Sequence, residues 1–245
     1  MPKVAVIVPG AGAGERFGGG RNKIFEKIKD QPMFIRTLEV FTGHRDVVQT
    51  IFVCSAADMA EVKERFGGHL GFMGASLVEG GATRTESVRN ALGKVCDEAE
   101  LIAVHDAARP CVSRVWADAV FAEAAKTGAA LLALPLHGTL KRVADSGVVD
   151  ETLPRADFKN LWEAQTPQVF RKDILQKAYA SGKEATDDAA LVEAMGHPVS
   201  VVAGDPRNIK VTTPADLAFA KAVVNTLPKP RDLGALHPFQ DDLRL

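Results

Sequence analysis

The sequence predicts an α/β fold, a mostly parallel twisted sheet with helices on both faces. Two patterns carry that prediction. Apolar runs of strand length alternate with amphipathic segments of helical length, the rhythm of a wound parallel sheet. The runs are also nearly continuous in apolar residues, as in strands covered on both faces. A third observation places the business end. Residues 6–23 read VIVPGAGAGERFGGGRNK, so a burst of glycine with Arg16, Arg21 and Lys23 follows the first run. Glycine at a strand's end lets backbone approach a ligand closely. In open α/β sheets that is the edge where ligands bind.

Taken in order, VAVIV (4–8) is a strand and FIRTLEVFTGH (34–44) a helix. TIFVCS (50–55) leads into AADMAEVKERFG (56–67), with Ser55 as N-cap and Asp58 at N3. SLVEG (76–80) precedes TRTESVRNALGKV (83–95), and LIAVHD (101–106) precedes SRVWADAVFAEAAKTG (113–128). AALLALPL (129–136), TDDAALVEAMG (186–196) and VSVVAG (199–204) continue the series. TTPADLAFAKAVV (212–224) closes it, with Thr213 as N-cap, Pro214 at N1 and Asp216 at N3. Residues 137–160 break the rhythm: they are polar, with a Ser-Gly turn between LKRV and VVDETL. That pattern predicts a hairpin projecting from the sheet as a β-arm. The chain therefore divides into one domain over 1–226, with the arm at about 137–160, and a Pro-rich tail over 227–245.

Composition narrows the classes of function. The chain of 245 residues is 46% hydrophobic and 25% charged, with net charge −1. This is ordinary for a globular protein and gives no bulk basic face for nucleic acid. Cys54, Cys96 and Cys111 are scattered without a C-x-x-C pair, so neither a disulfide framework nor a zinc site is indicated. No apolar run approaches membrane-spanning length, and the N-terminus has no signal-peptide pattern. A soluble cytoplasmic protein without membrane or nucleic-acid partners is expected.

The glycine loop fits neither familiar phosphate template. For G-x-G-x-x-G the last position falls on Glu15 or Phe17, and for the Walker pattern Lys23 is followed by Ile24. What remains is a phosphate cradle of another kind, with separated cations. Asp106 ends an apolar strand and is followed by Ala-Ala-Arg109-Pro. A carboxylate beside such a cradle suits Mg²⁺, which takes one or two carboxylates plus phosphate oxygens; a local pair with Arg109 is the alternative. His105, one residue earlier, points to the other face by strand alternation and is structural. The second glycine turn, GGATRTESVRNAL (80–92), offers backbone amides to a base edge, with Arg84 and Ser87 supplying side-chain contacts. Lys210 precedes the last helix.

In this order PGAGAGERFGGGRNK, GGATRTESVRNAL, VHDAARP, GTLKR, WEAQTPQVF, TDDAALVE and GDPRNIKVTTPADL resemble the 2-C-methyl-D-erythritol 4-phosphate cytidylyltransferase family, over about residues 3–224. The resemblance implies a glycosyltransferase-A-like nucleotidyltransferase fold and a homodimer joined through the β-arm. It also implies Mg²⁺-dependent transfer of CMP from CTP to methylerythritol phosphate in the non-mevalonate isoprenoid pathway. By the same resemblance Arg16, Lys23, Arg155 and Lys210 are catalytic, and Ala11, Gly12, Gly14, Gly81 and Ser87 hold the nucleotide, joined by Arg84 from the reading of the second glycine turn. Asp106, Arg109, Thr139, Thr166 and Thr186 lie at the acceptor site, with Asp106 also the metal ligand.

Four places depart from the family pattern, one of them an insertion of about three residues between Arg155 and Leu161 that loosens the match at Arg155. Gly10 stands where alanine is usual, which predicts a looser loop. Asn22 replaces a proline, which predicts a less pre-organised Lys23. Gly138 replaces an aspartate before the arm threonine. A ribitol-phosphate cytidylyltransferase is the nearest rival reading, and a non-catalytic nucleotide sensor on the same fold is a rival of another class.

Overall fold

The structure, a computed structural model, describes residues 2–12, 17–18 and 22–230. Its first half is a series of parallel strands. β1 (Val4–Pro9) lies between β4 (Val47–Cys54) and β6 (Leu101–Val104), and β5 (Ala75–Glu79) extends the sheet beyond β4. β2 (Lys27–Ile28) and β3 (Gln31–Pro32) form a small separate pair. The helices between them are α1 (Met33–Thr42), α2 (Ala56–Phe72), α3 (Arg84–Leu92) and α4 (Arg114–Thr127). Ser55 caps α2 by accepting from the Asp58 amide, as its spacing predicts. Thr83 and Ser113 do the same for α3 and α4.

The second half contains β7 (Ala129–Pro135), the hairpin β8 (Lys141–Val143) and β9 (Val149–Thr152), and the single turn α5 (Arg155–Phe158). Then come β10 (Trp162–Arg171), α6 (Lys172–Ala180), α7 (Asp188–Glu193), β11 (Ser200–Ala203) and α8 (Pro214–Val223). The main sheet runs β11-β7-β10-β6-β1-β4-β5. β8 and β9 pair antiparallel with each other, outside that sheet. α8 begins with the capping box of Thr213 and Asp216, with Pro214 in the first turn.

β10 is the element the sequence hides. It runs antiparallel between β6 and β7, in the interior of an otherwise parallel sheet. Its sequence, WEAQTPQVFR, carries a proline and buries Gln165, Thr166 and Gln168. Proline argues against a central strand, and buried amides erase the apolar signature. Its ladder is interrupted between Ala164 and Gln168, which is where Pro167 sits.

Strand alternation divides the core. Val4, Val6 and Val8 of β1 face α1, α2 and α4, packing with Phe34, Phe41, Val62 and Phe121. Ile7 faces the other way, toward Val88 of α3, Leu175 of α6 and Leu191 of α7. Phe34 stacks on Phe52 with ring centres 4.7 Å apart, and Phe25 meets Phe34 edge-on. Each such ring contributes about 1.5–3 kcal/mol through burial. A third cluster, including Met33, Cys111 and Leu217, fastens α8 to the rest.

Candidate active site

The carboxyl ends of β1, β5 and β6 open on one cavity of about 550 Å³. β1 delivers Gly10, Ala11 and Gly12; β5 leads to Gly81; β6 leads to Asp106. Arg84 and Ser87 come from the first turns of α3, Lys23 from a short 3₁₀ turn at 23–25, and Lys210 from the loop before α8. Sequence positions 11, 23, 84, 106 and 210 thus meet around one volume.

Charge is concentrated on Asp106. Lys210 Nζ lies 2.9 Å from its Oδ2, Arg109 Nε 3.4 Å from the same oxygen, and Arg84 Nε 3.7 Å from Oδ1. Burial pushes the Asp106 carboxyl up, but Lys210, Arg84 and Arg109 outweigh it and hold it well below the ordinary carboxylate range. Three cations facing one carboxylate leave the cluster net positive, which suits an anionic ligand.

Each cation is held from behind. Arg84 makes a bidentate pair with the fully buried Asp188, at 3.1 and 2.6 Å, and Asp188 also accepts from the Tyr179 hydroxyl. Gln168 Oε1 accepts from the Asp188 and Ala189 amides, which docks α7 on β10. Arg109, itself buried, donates to the Asn208 carbonyl at 2.8 Å. Asn208 in turn donates to the Thr166 carbonyl, and the Val211 amide donates to the Ala108 carbonyl. The loop carrying Lys210 is therefore tied on both sides of that lysine.

His105 is structural, as strand alternation predicts. Its Nε2 donates to the Arg109 carbonyl, which leaves Nδ1 to accept from Thr166 Oγ1, while Thr166 Oγ1 accepts from the Asp106 amide. This relay orients the Asp106 backbone and suits a neutral imidazole with its proton on Nε2. Burial agrees, lowering the His105 pKa to about 4. In the unfolded chain a histidine titrates near 6.5. Stability from this group is thus complete above that pH and is lost as pH falls toward 4, because the unfolded chain takes up the proton first. The expected loss is roughly 3 kcal/mol. Urea unfolding of the ligand-free protein in Mg²⁺-free buffer at pH 7 and pH 4.5 checks it. His105→Gln is expected to flatten the drop, and an equal drop in that variant would assign the acid sensitivity elsewhere.

Two glycine readings change. The amides of the second glycine turn are engaged internally: Gly81 N–H donates to Ser87 Oγ and Ala82 N–H to Glu86. What the turn offers the cavity is a thin wall, since a Cβ at Gly81 would lie 2.4 Å from Glu86 Cβ. Gly10 is close-packed rather than loose: a Cβ there would lie 2.8 Å from Phe52 Cε2 and 3.2 Å from Ile24 Cδ1. Gly10→Ala is expected to cost about 1–3 kcal/mol by overpacking, read as a lower urea midpoint with unchanged slope.

Among the predicted residues, Lys23, Ala11, Gly12, Gly81, Arg84, Ser87, Asp106 and Lys210 line the cavity. Arg109 and Thr166 lie beneath it, buried, supporting Asp106. Thr139, Arg155 and Thr186 lie outside the lining, and all of them are exposed. Arg16 and Gly14 lie outside the described residues, as does the tail beyond residue 230. Sequence reasoning missed Asp188, Tyr179, Asn208 and Gln168. The doubled aspartate of TDDAALVE is the nearest thing to a signal, and nothing in it says which carboxylate is buried. His44, Asp46 and Asp118 also cluster. His44 Nδ1 accepts from the Asp46 amide, so Nε2 carries the proton toward Asp118 and has no lone pair for a cation.

A family model described as 2-C-methyl-D-erythritol 4-phosphate cytidylyltransferase matches residues 4–226. A protein of that name from Rhodopirellula baltica is 42% identical over 91% of this chain and 95% of its own length. One from Bacillus pumilus is 39% identical over 90% and 96%. The crystal structure of the enzyme of that name from Thermus thermophilus superposes with a TM-score of 0.75 at 32% identity, covering 91% of this chain and 99% of the other. With the mostly parallel sheet, the cavity at its carboxyl edge and the match along nearly the whole described chain, this protein belongs to the 2-C-methyl-D-erythritol 4-phosphate cytidylyltransferase family.

Proposed function

We propose that this chain transfers CMP from CTP to 2-C-methyl-D-erythritol 4-phosphate and releases pyrophosphate. The convergence of Arg84, Arg109 and Lys210 on Asp106 supports the reading most strongly. An oxygen of the acceptor's phosphate forms a bond to the CTP α-phosphorus, and the bond to the bridging oxygen of the β-phosphate breaks. The nucleophile is already an anion, so no strong general base is needed. The barrier is repulsion between two anions, which fixed cations lower while stabilising charge on the departing pyrophosphate. Lys23 and Lys210 line the cavity in positions suited to that work, and Asp188 keeps Arg84 from swinging away. Arg16 carries the same role by resemblance.

The donor set fits Mg²⁺. Asp106 Oδ1 has Arg84 as its salt-bridge partner at 3.7 Å, a loose contact that leaves the oxygen free to ligate. One carboxylate completed by substrate phosphate oxygens is a usual way of holding this ion. When bound it supplies positive charge shared between the carboxylate and the triphosphate. Thr139 and Arg155 stand on or beside the exposed hairpin, and in this reading they reach the acceptor phosphate of a second copy, which makes the enzyme a homodimer.

Pyrophosphate release with CTP, Mg²⁺ and methylerythritol phosphate tests the reading, beside ribitol 5-phosphate and a no-acceptor control. Release with methylerythritol phosphate alone is expected. Release with ribitol phosphate instead would move the acceptor, and CTP binding without any release would make the protein a sensor.

A further inference from the structure

We propose that Asn22 is a positioning residue for Lys23, clamping the turn that carries the lysine to the end of β1 and the start of α2. The Asn22 carboxamide is buried and makes three bonds. Nδ2 donates to the Gly10 carbonyl at 2.9 Å and to Asp58 Oδ2 at 2.9 Å, while Oδ1 accepts from the Ile24 amide at 3.3 Å. Asp58 is itself fixed, because its carboxylate accepts from the Ser55 hydroxyl and its amide donates to Ser55 Oγ in the cap of α2. On the other side of Lys23, Ile24 and Phe25 are sunk in the core, with Phe25 against Phe34 and Phe66. The backbone of Lys23 is thus pinned from both directions, one residue away each time.

The bond to Gly10 gives the clamp a meaning beyond stability. Gly10 begins the glycine rim of the cavity, and Lys23 lines the same cavity. Asn22 therefore sets the lysine's point of attachment relative to the backbone that faces the triphosphate. A lysine has a long flexible stem, and whatever its backbone loses in definition adds to the ordering cost at the reaction. Far from loosening Lys23, the asparagine replaces the rigidity of a proline ring with hydrogen bonds to two separate elements.

This inference rests on the cytidylyltransferase reading only for its kinetic readout. The experiment compares wild type, Asn22→Ala, Lys23→Ala and the double variant, measuring kcat/KM for pyrophosphate release and the Kd for CTP in each. Asn22→Ala is expected to lower kcat/KM about tenfold, the scale of a modest misplacement of a catalytic group. In the Lys23→Ala background the same change is expected to do less than about twofold, because residues acting through one another are not additive. Equal losses in both backgrounds would make Asn22 merely structural and overturn the proposal, as would no loss in the wild-type background. Should Asn22→Ala fold poorly, Asn22→Asp keeps the shape but turns both donors toward Gly10 O and Asp58 into acceptors. The same cycle is then read with it, and Asp58→Asn is expected to restore part of the loss. If the wild type releases no pyrophosphate, the activity reading falls, and the CTP affinities of the four proteins decide the role of Asn22 by the same criterion.

Discussion

Lys210→Ala lowers kcat/KM by about 10²–10³-fold while leaving stability within about 1 kcal/mol of wild type. The two halves of that expectation come from different parts of the geometry. The lysine side chain is 40% exposed although its ammonium sits 2.9 Å from Asp106. Water therefore screens much of the pair's contribution to folding, and the loop stays fastened through Asn208 and Val211. The same partial exposure puts the ammonium where an incoming phosphate can meet it. The fold supplies the position in advance, so charge appearing in the transition state is met without reorganisation. Lys210→Arg is expected to recover only part of the loss, since a planar fork cannot occupy the place of a point charge against one carboxylate oxygen. Steady-state kinetics with CTP and methylerythritol phosphate, alongside urea unfolding, separate the two effects. Activity within about threefold of wild type would shift the burden to Lys23 and Arg84 and exclude Lys210 from the reaction.

The sequence makes the parallel strands and capped helices legible because their information is local. A run such as VAVIV says what it is wherever it stands, and Ser55 with Asp58 or Thr213 with Asp216 spell their caps within four residues. β10 is opaque for the opposite reason. Its buried Gln165, Thr166 and Gln168 are satisfied by Asp205, His105, Asp187 and the start of α7, all distant in sequence. The cavity follows the same division. Asp106 beside Arg109 is readable as a neighbouring pair, and that contact exists. That Arg84 and Lys210 arrive at the same carboxylate is a product of topology. Asn22 shows what a residue's type leaves out: the loss of a proline predicts a less pre-organised Lys23, and only its partners at Gly10 and Asp58 make it a clamp.

Asp106→Asn is the substitution whose sign is most instructive. If the carboxylate served only to space the cations apart, its removal would raise the positive charge of the cavity and strengthen CTP binding in every buffer. If it also holds Mg²⁺, the outcome depends on the metal. In Mg²⁺-free solution with a chelator, the variant is expected to bind CTP at least as tightly as wild type, because a net positive cluster gains one further unit of charge. With Mg²⁺ present, the wild type tightens and the variant does not, and kcat/KM of the variant falls by about 10³-fold or more as the electrostatic stabilisation at the triphosphate is lost. Folding suffers as well, because Arg109 is buried and loses its only carboxylate salt-bridge partner among the described residues. A buried cation left without its partner costs about 3–5 kcal/mol, reduced here by the carbonyls of Asn208 and Ala164 that Arg109 keeps. Calorimetric titration of CTP with and without Mg²⁺ reads the binding arms directly. Tighter binding by the variant in both buffers, with activity retained, would mean that Asp106 is a spacer between cations. Lost Mg²⁺ enhancement with preserved metal-free binding would mean that the spacing and the metal site are the same carboxylate.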